Sequence, residues 1–199
     1  MLKAVAFDAF GTLVNILDKR YPYVSVARAS QNVSAVSPMV ERIDLTQYAK
    51  LCQVPWNQAW RDDLAAELAS ITTYPESTEV LAAVQEMGLK TAVASNLAQP
   101  YGQPIIDKLG TMLDVVCFSF DVGAAKPDPM FYQTLCHKLD CEPEEVLMVG
   151  DTWKSDYAGA TAAGLQALHL DRRGNATEEQ KPVSIIDLKG VLPFLQSAS

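Results

Sequence analysis

From Ser77 to Leu170 the chain alternates short apolar runs with helix-like stretches that end at glycine. The pattern predicts a helix over Ser77–Met87 stopped by Gly88, a strand over Thr91–Ala94, a helix around Pro104–Leu109 stopped by Gly110, and a strand over Val115–Ser119. A helix over Pro129–Leu139 follows, with Asp128 as N-cap and Pro129 in the first turn. A strand over Val146–Val149, a helix over Ser155–Ala163 ended by Gly164, and a strand over Gln166–Leu170 complete the series. The run Leu2–Phe7 ahead of it reads as one more buried strand, stopped by Asp8 and the Gly11-Thr12 turn. Strict alternation of strand and helix points to an α/β fold: a parallel sheet with right-handed crossovers and helices on both faces. In such sheets the chemistry gathers beyond the carboxyl ends of the strands.

The stretch Asn15–Tyr74 breaks this rhythm. Tyr21 to Val40 is rich in Ser, Ala and Val, with Arg28 as its charged residue. A helix start follows at Asp44, and a clearer helix from about Pro55 carries Trp56, Trp60, Leu64 and Leu68 on one stripe. Asp62, Asp63 and Glu67 fall off that stripe. The stretch is expected to be helical or irregular, without strands. At the other end, Arg172 to Lys181 reads as an exposed charged loop before a short helix near Ile185–Leu195.

Composition narrows the function. The 199 residues suit one domain with a modest insertion. The 16 Lys and Arg against 24 Asp and Glu give a net charge of −8, the wrong sign for a nucleic-acid backbone or an anionic membrane. The longest uncharged run, Thr91 to Ile106, is interrupted by Asn96, Gln99 and two prolines, which disfavours a membrane span. An acidic residue as early as Asp8 argues against a signal peptide. Cys52, Cys117, Cys136 and Cys141 lack CxxC spacing and read as thiols in a reducing compartment, so a soluble cytoplasmic protein is expected.

The predicted strand ends deliver a chemically coherent set. The first brings Asp8, with Gly11 and Thr12 behind it; the second brings Ser95 and Asn96. The third leads into Ala124-Ala125-Lys126-Pro127, and the fourth brings Gly150-Asp151, with Asp156 shortly after. Converging carboxylates repel one another unless a cation sits among them, and Mg²⁺ is the usual partner of oxygen ligands. A carboxylate beside a metal and a lysine stays ionised and can act as a nucleophile. His137 and His169 are far in sequence from the nucleophile and read as surface or supporting residues, and Trp153 reads as a site wall or a packing residue.

The segments FDAFGTLV (Phe7–Val14), VASN (Val93–Asn96), AAKPDPMFY (Ala124–Tyr132) and VGDTWKSDYAGA (Val149–Ala160) resemble, in order and spacing, the motifs of the haloacid dehalogenase (HAD) superfamily of hydrolases. The resemblance implies a Rossmann-like core of residues 1–14 and 75–199 with strand order 5-4-1-2-3. Residues 15–74 would form a reduced helical cap. It implies Asp8 as the nucleophile of a covalent aspartyl intermediate. Ser95, with Asn96 beside it and Thr12 among the substrate-binding residues, would hold the transferring group. Lys126 would offset charge on nucleophile and substrate. Asp8, Asp151 and the main-chain carbonyl of Phe10 would hold Mg²⁺, and Asp156 would support the metal or orient Lys126.

One position departs from the phosphatase pattern. Phosphatases of this family carry a second acid two residues after the nucleophile, where this chain has Phe10. An aromatic there is similar to haloacid dehalogenases, whereas Asp151 is similar to the phosphatases. The leading expectation is Mg²⁺-dependent hydrolysis of a small phosphorylated, anionic metabolite. The alternatives are 2-haloacid dehalogenation, with Arg20, Arg28 or Arg42 holding the substrate carboxylate, and a scaffold with weak catalysis that acts as a binding module.

Overall fold

The computed structural model describes residues 1–31 and 36–197; residues 32–35 of the inserted stretch and 198–199 lie outside the described residues. Its strands are β1 (Ala4–Phe7), β2 (Val14–Ile16), β3 (Ile71–Thr73), β4 (Lys90–Ser95), β5 (Val115–Phe118), β6 (Val146–Gly150), β7 (Gln166–Leu170) and β8 (Ser184–Ile185). Its helices are α1 (Pro22–Ala29), α2 (Leu45–Leu51), α3 (Gln58–Ala69), α4 (Ser77–Glu86), α5 (Gly102–Leu109), α6 (Ser119–Val122), α7 (Pro129–Leu139), α8 (Gly159–Ala162) and α9 (Val191–Ser197). Among the described residues a six-stranded sheet runs in the order β5-β4-β1-β6-β7-β8, with every neighbouring pair parallel. Numbering β1, β4, β5, β6 and β7 as the strands of the alternation, the order from the β7 edge is 5-4-1-2-3, as expected. The short strand β8 extends that edge where the sequence suggested loop and helix; a two-residue strand is too brief to show periodicity.

The sheet is buried on both faces, which is why its central strands read as continuous apolar runs. Val5 and Phe7 of β1 point to one side, where Val93, Leu147 and Val149 join Leu81 of α4, Ile105 of α5 and Val191 of α9. Ala4 and Ala6 point to the other, with Ala92, Ala94 and Met148. The small side chains on that face let α7 bring Phe131, Tyr132, Leu135 and Leu139 close to the sheet. Helix α7 begins as expected: the Asp128 carboxylate accepts from the Met130 amide at 2.9 Å, and Pro129 occupies the first turn.

The inserted stretch corrects one expectation. It begins and ends in an antiparallel ribbon, with Val14 opposite Thr73 and Ile16 opposite Ile71. Each strand of the ribbon has three residues, too few to register as an alternating pattern. Beyond the ribbon, Val26 of α1 and Leu45, Tyr48 and Ala49 of α2 form a separate apolar cluster, against which Trp60 and Leu64 of α3 pack. Helix α3 starts at Gln58, capped by Asn57, so Trp56 stands outside it and is 40% exposed. No helix among the described residues is long and apolar enough to cross a membrane.

Glu67 of α3 ties this insertion to the sheet. The sequence pattern placed it off the apolar stripe, yet it is only 2% exposed. Its Oε1 accepts from the amides of Arg20 at 2.8 Å and Tyr21 at 3.0 Å, and its Oε2 accepts from the Tyr101 hydroxyl, which follows β4. Tyr21 sits at φ 56°, so the chain entering α1 turns sharply where the carboxylate holds it. Glu67→Ala strands three donors at this seam and is expected to cost about 3 kcal/mol in urea unfolding. Asp63→Ala, which removes only an exposed partner of Arg20 on the same helix, is expected to leave the midpoint nearly unchanged.

Candidate active site

The carboxyl ends of β1, β4 and β6 meet around one buried ammonium. Lys126 sits in the loop between α6 and α7, and its Nζ donates to Asp8 Oδ1 at 2.9 Å, Asp156 Oδ1 at 2.6 Å and the Ala94 carbonyl at 2.7 Å. Those three bonds use all the protons of the ammonium. Asn96 holds the loop from behind: its Nδ2 donates to the Lys126 carbonyl and its Oδ1 accepts from the Lys126 amide, both at 2.8 Å. The resemblance put Asn96 beside the transferring group; here both ends of its amide are engaged by Lys126. Ser95 is buried at the end of β4.

Asp156 lies in a π-helical turn over Trp153–Ala158. Its Oδ1 meets Lys126 and its Oδ2 accepts from the Thr152 amide at 2.9 Å. It therefore holds the lysine and closes the turn that follows Asp151. Carboxylate oxygens of Asp8, Asp151 and Asp156 all lie within 4.8 Å of one another. Both Asp156 oxygens are engaged, by Lys126 and the Thr152 amide, whereas Lys126 bonds only one oxygen of Asp8. Glycines make the approach possible: Gly11 has φ +86°, and a Cβ there would stand 2.2 Å from Asp151 Oδ2. At Gly150 a Cβ would stand 2.3 Å from the Asp156 carboxyl.

Two clefts open from this cluster. One, of about 310 Å³, has walls of Phe10, Tyr21, Tyr23, Leu97 and Tyr101, with Glu67 and Asp151 among its polar groups. The Phe10 ring meets Tyr101 edge-on at 5.9 Å. The other, of about 850 Å³, is more polar and is lined by Asp151, Trp153, His169, Arg172 and Arg173. Lys19 borders both. The candidate cap arginines are occupied or distant: Arg20 pairs with Asp18 and Asp63, Arg42 pairs with Asp121 over the Phe120 ring, and Arg28 is exposed and borders neither cleft. His137 is exposed; His169 is bonded through Nδ1 to Ser184 Oγ at 3.0 Å, and Trp153 stands edge-on to it. Thr12 is fully buried, and its hydroxyl has no hydrogen-bond partner among the described residues. The four cysteines are unpaired.

Sequence reasoning missed Arg172. Read as part of an exposed tail, it is half-buried just past β7. Its Nε donates to the Gly11 carbonyl at 3.0 Å, its Nη2 to the Thr12 carbonyl at 2.8 Å and its Nη1 to Glu76 Oε1 at 2.6 Å. The available signal was its place at a strand's carboxyl end, the rule that found the other site residues.

Three carboxylates around one lysine leave two negative charges without a partner. Burial pushes Asp8 up to about 6, and the charges of Asp156 and Asp151 add to the rise, against the opposing pull of Lys126. Burial and the Asp156 charge raise Asp151 as well. Burial tends to lower Lys126, but Asp8 and Asp156 outweigh it and hold the ammonium above its ordinary range. Oxygen donors with surplus negative charge suit a hard divalent cation, and Asp8 and Asp151 are placed where they could hold one. Because the folded state favours protonated Asp8, ionising it costs stability. That penalty is absent below the ordinary value of 3.8 and complete above about 6. In EDTA at pH 7, Asp8→Asn is therefore expected to raise the melting temperature by roughly 5 °C, a gain that fades on acidification towards pH 4.

A family model described as haloacid dehalogenase-like hydrolase matches residues 2–164. The chain is 26% identical to (S)-2-haloacid dehalogenase 4A of Burkholderia cepacia, over 89% of this chain and 86% of that one. It is 32% identical to the phosphoserine phosphatase of Thermus thermophilus over 63% of this chain, but spans only about half of that relative, 51%. In structure it superposes on a HAD phosphatase from Thermococcus onnurineus with a TM-score of 0.73 at 22% identity, covering 98% of both chains, a likeness of fold. Motifs, sheet order and family match agree: this chain belongs to the haloacid dehalogenase-like hydrolases.

Proposed function

We propose that this hydrolase is a phosphatase that acts on a small phosphorylated metabolite through an aspartyl-phosphate intermediate. The observation that carries the reading is the charge imbalance: Asp8, Asp151 and Asp156 share one cation, Lys126. Mg²⁺ is the cofactor this donor set suits. Asp8, Asp151 and the Phe10 carbonyl would hold it, and when bound it would neutralise charge on the phosphoryl group and nucleophile. Residues 15–74 act as a cap over a core of residues 1–14 and 75–199, and the cap cleft sets the substrate. The net charge of −8 and the unpaired cysteines support a cytoplasmic enzyme without nucleic-acid or membrane partners.

Lys126 fixes Asp8 Oδ1 and so leaves Oδ2 as the attacking atom. Oδ2 forms a bond to phosphorus while the bond to the leaving oxygen breaks, and the leaving group departs with the electron pair. Water then attacks the acyl phosphate, releasing phosphate and restoring the Asp8 carboxylate. Ser95 lies at the end of β4, where it can donate to the transferring group. Phe10 offers no proton to the leaving oxygen. Glu67, a carboxylate that borders the smaller cleft, already accepts three hydrogen bonds. The site therefore favours leaving groups that need no protonation, such as phenolates or carboxylates.

A second reading, 2-haloacid dehalogenation, is favoured by the Phe10 ring and the apolar walls of the smaller cleft. With Mg²⁺ present, an aryl phosphate should be hydrolysed roughly 10²–10⁴-fold faster than an alkyl phosphate, the worth of the missing acid. EDTA should abolish this turnover, as should Asp8→Asn. No turnover with Mg²⁺, or equal turnover in EDTA, sinks the phosphatase reading; halide release from a 2-chloroacid in EDTA replaces it with the second. If Asp8→Asn leaves every measured function intact, the chain is a binding scaffold.

A further inference from the structure

We infer that Arg172 is a positioning residue that clamps the loop after the nucleophile to the hinge through which the insertion leaves the sheet. Its guanidinium bonds the consecutive carbonyls of Gly11 and Thr12, pairs with Glu76 at the start of α4, and lies 3.8 Å above the Tyr74 ring. Glu76 is held below the usual carboxylate range by that pairing, even though its burial works in the other direction. The two strands of the hinge meet at the same place. Gly11 N donates to the Val14 carbonyl, Leu13 N and Val14 N donate to the Ala9 carbonyl, and Tyr74 N donates to the Leu13 carbonyl. Ser77 Oγ donates to that same Leu13 carbonyl at 2.7 Å. Gly11 follows Phe10 and lies against the Asp151 carboxylate, so a shift of the Gly11–Thr12 backbone moves the Asp8–Asp151 cluster.

The geometry suits arginine alone. One planar fork reaches two carbonyls and a carboxylate while its face covers an aromatic ring; an ammonium is a single point donor. Arg173, the neighbouring residue, is exposed and makes none of these contacts.

Hydrogen exchange on the intact protein tests this without reference to activity, and so separates it from the phosphatase reading, on which only its kinetic arm rests. In Arg172→Gln the amides of Gly11, Leu13, Val14 and Tyr74 should exchange about 10- to 100-fold faster, as local opening follows the loss of charge-assisted hydrogen bonds. Amides of β5 and α7 should be unchanged, as should all amides in Arg173→Gln. Arg172→Lys should behave like the glutamine variant. If aryl phosphate is turned over, kcat should fall about tenfold or more with KM little changed, the signature of misplaced reacting groups. If it is not, the proposed reaction fails and exchange alone decides. Should Arg172→Gln not fold, Glu76→Gln, which keeps both carbonyl contacts, should raise exchange at the same four amides by a smaller factor. Unchanged exchange there, an increase spread evenly through the sheet, full rescue by lysine, or faster local exchange with kcat intact would each overturn the inference.

Discussion

The structure depends on one buried ammonium. Lys126 Nζ is bonded to the end of β1 through Asp8, to the end of β4 through the Ala94 carbonyl, and to the turn after β6 through Asp156. A lysine taken out of water is costly unless its partners are as close as these. The same three bonds that make its burial tolerable fix the nucleophile. Asn96 completes the arrangement from the main-chain side, so the loop between α6 and α7 is fastened at both ends of one residue.

Around this point the charges are deliberately unequal. Lys126 satisfies one oxygen of Asp8 and one of Asp156, while Asp151 stands across from them and Gly11 leaves room for its approach. Burial and this negative surplus together raise Asp8. Asp151 borders both the apolar smaller cleft, walled by Phe10, and the polar larger cleft.

The insertion is joined to the sheet by carboxylates and an arginine as well as by apolar packing, since Tyr23 and Leu64 pack against both its own cluster and one of the sheet's. Its own cluster around Val26 and Tyr48 is distinct from the two clusters that sandwich the sheet. Glu67 bridges to Tyr101, and Arg172 bridges Glu76 to the Gly11–Thr12 backbone. Polar latches of this kind specify one geometry, because each donor has few alternatives once water is excluded.

The sequence alone determined the strands of a parallel sheet and the residues at their ends, because buried parallel strands are apolar throughout and their helices stop at glycine, signals that are local; the strand order came from the resemblance of the motifs. Asp8, Ser95 and Asp151 were legible for the same reason: each follows a recognisable strand, whereas Lys126 lies beyond α6 and stood out through its motif. The three-residue strands of the ribbon were not legible, since periodicity needs length. Nor were the roles of Asn96, Glu67 and Arg172. Each is a polar residue whose partner lies many residues away, and composition reads such a residue as solvated or as a ligand contact. Only the tertiary structure brought Arg172 to the Gly11 and Thr12 carbonyls and Glu67 to Tyr101, because hydrogen bonds between distant segments are set by packing and leave no pattern in the chain itself.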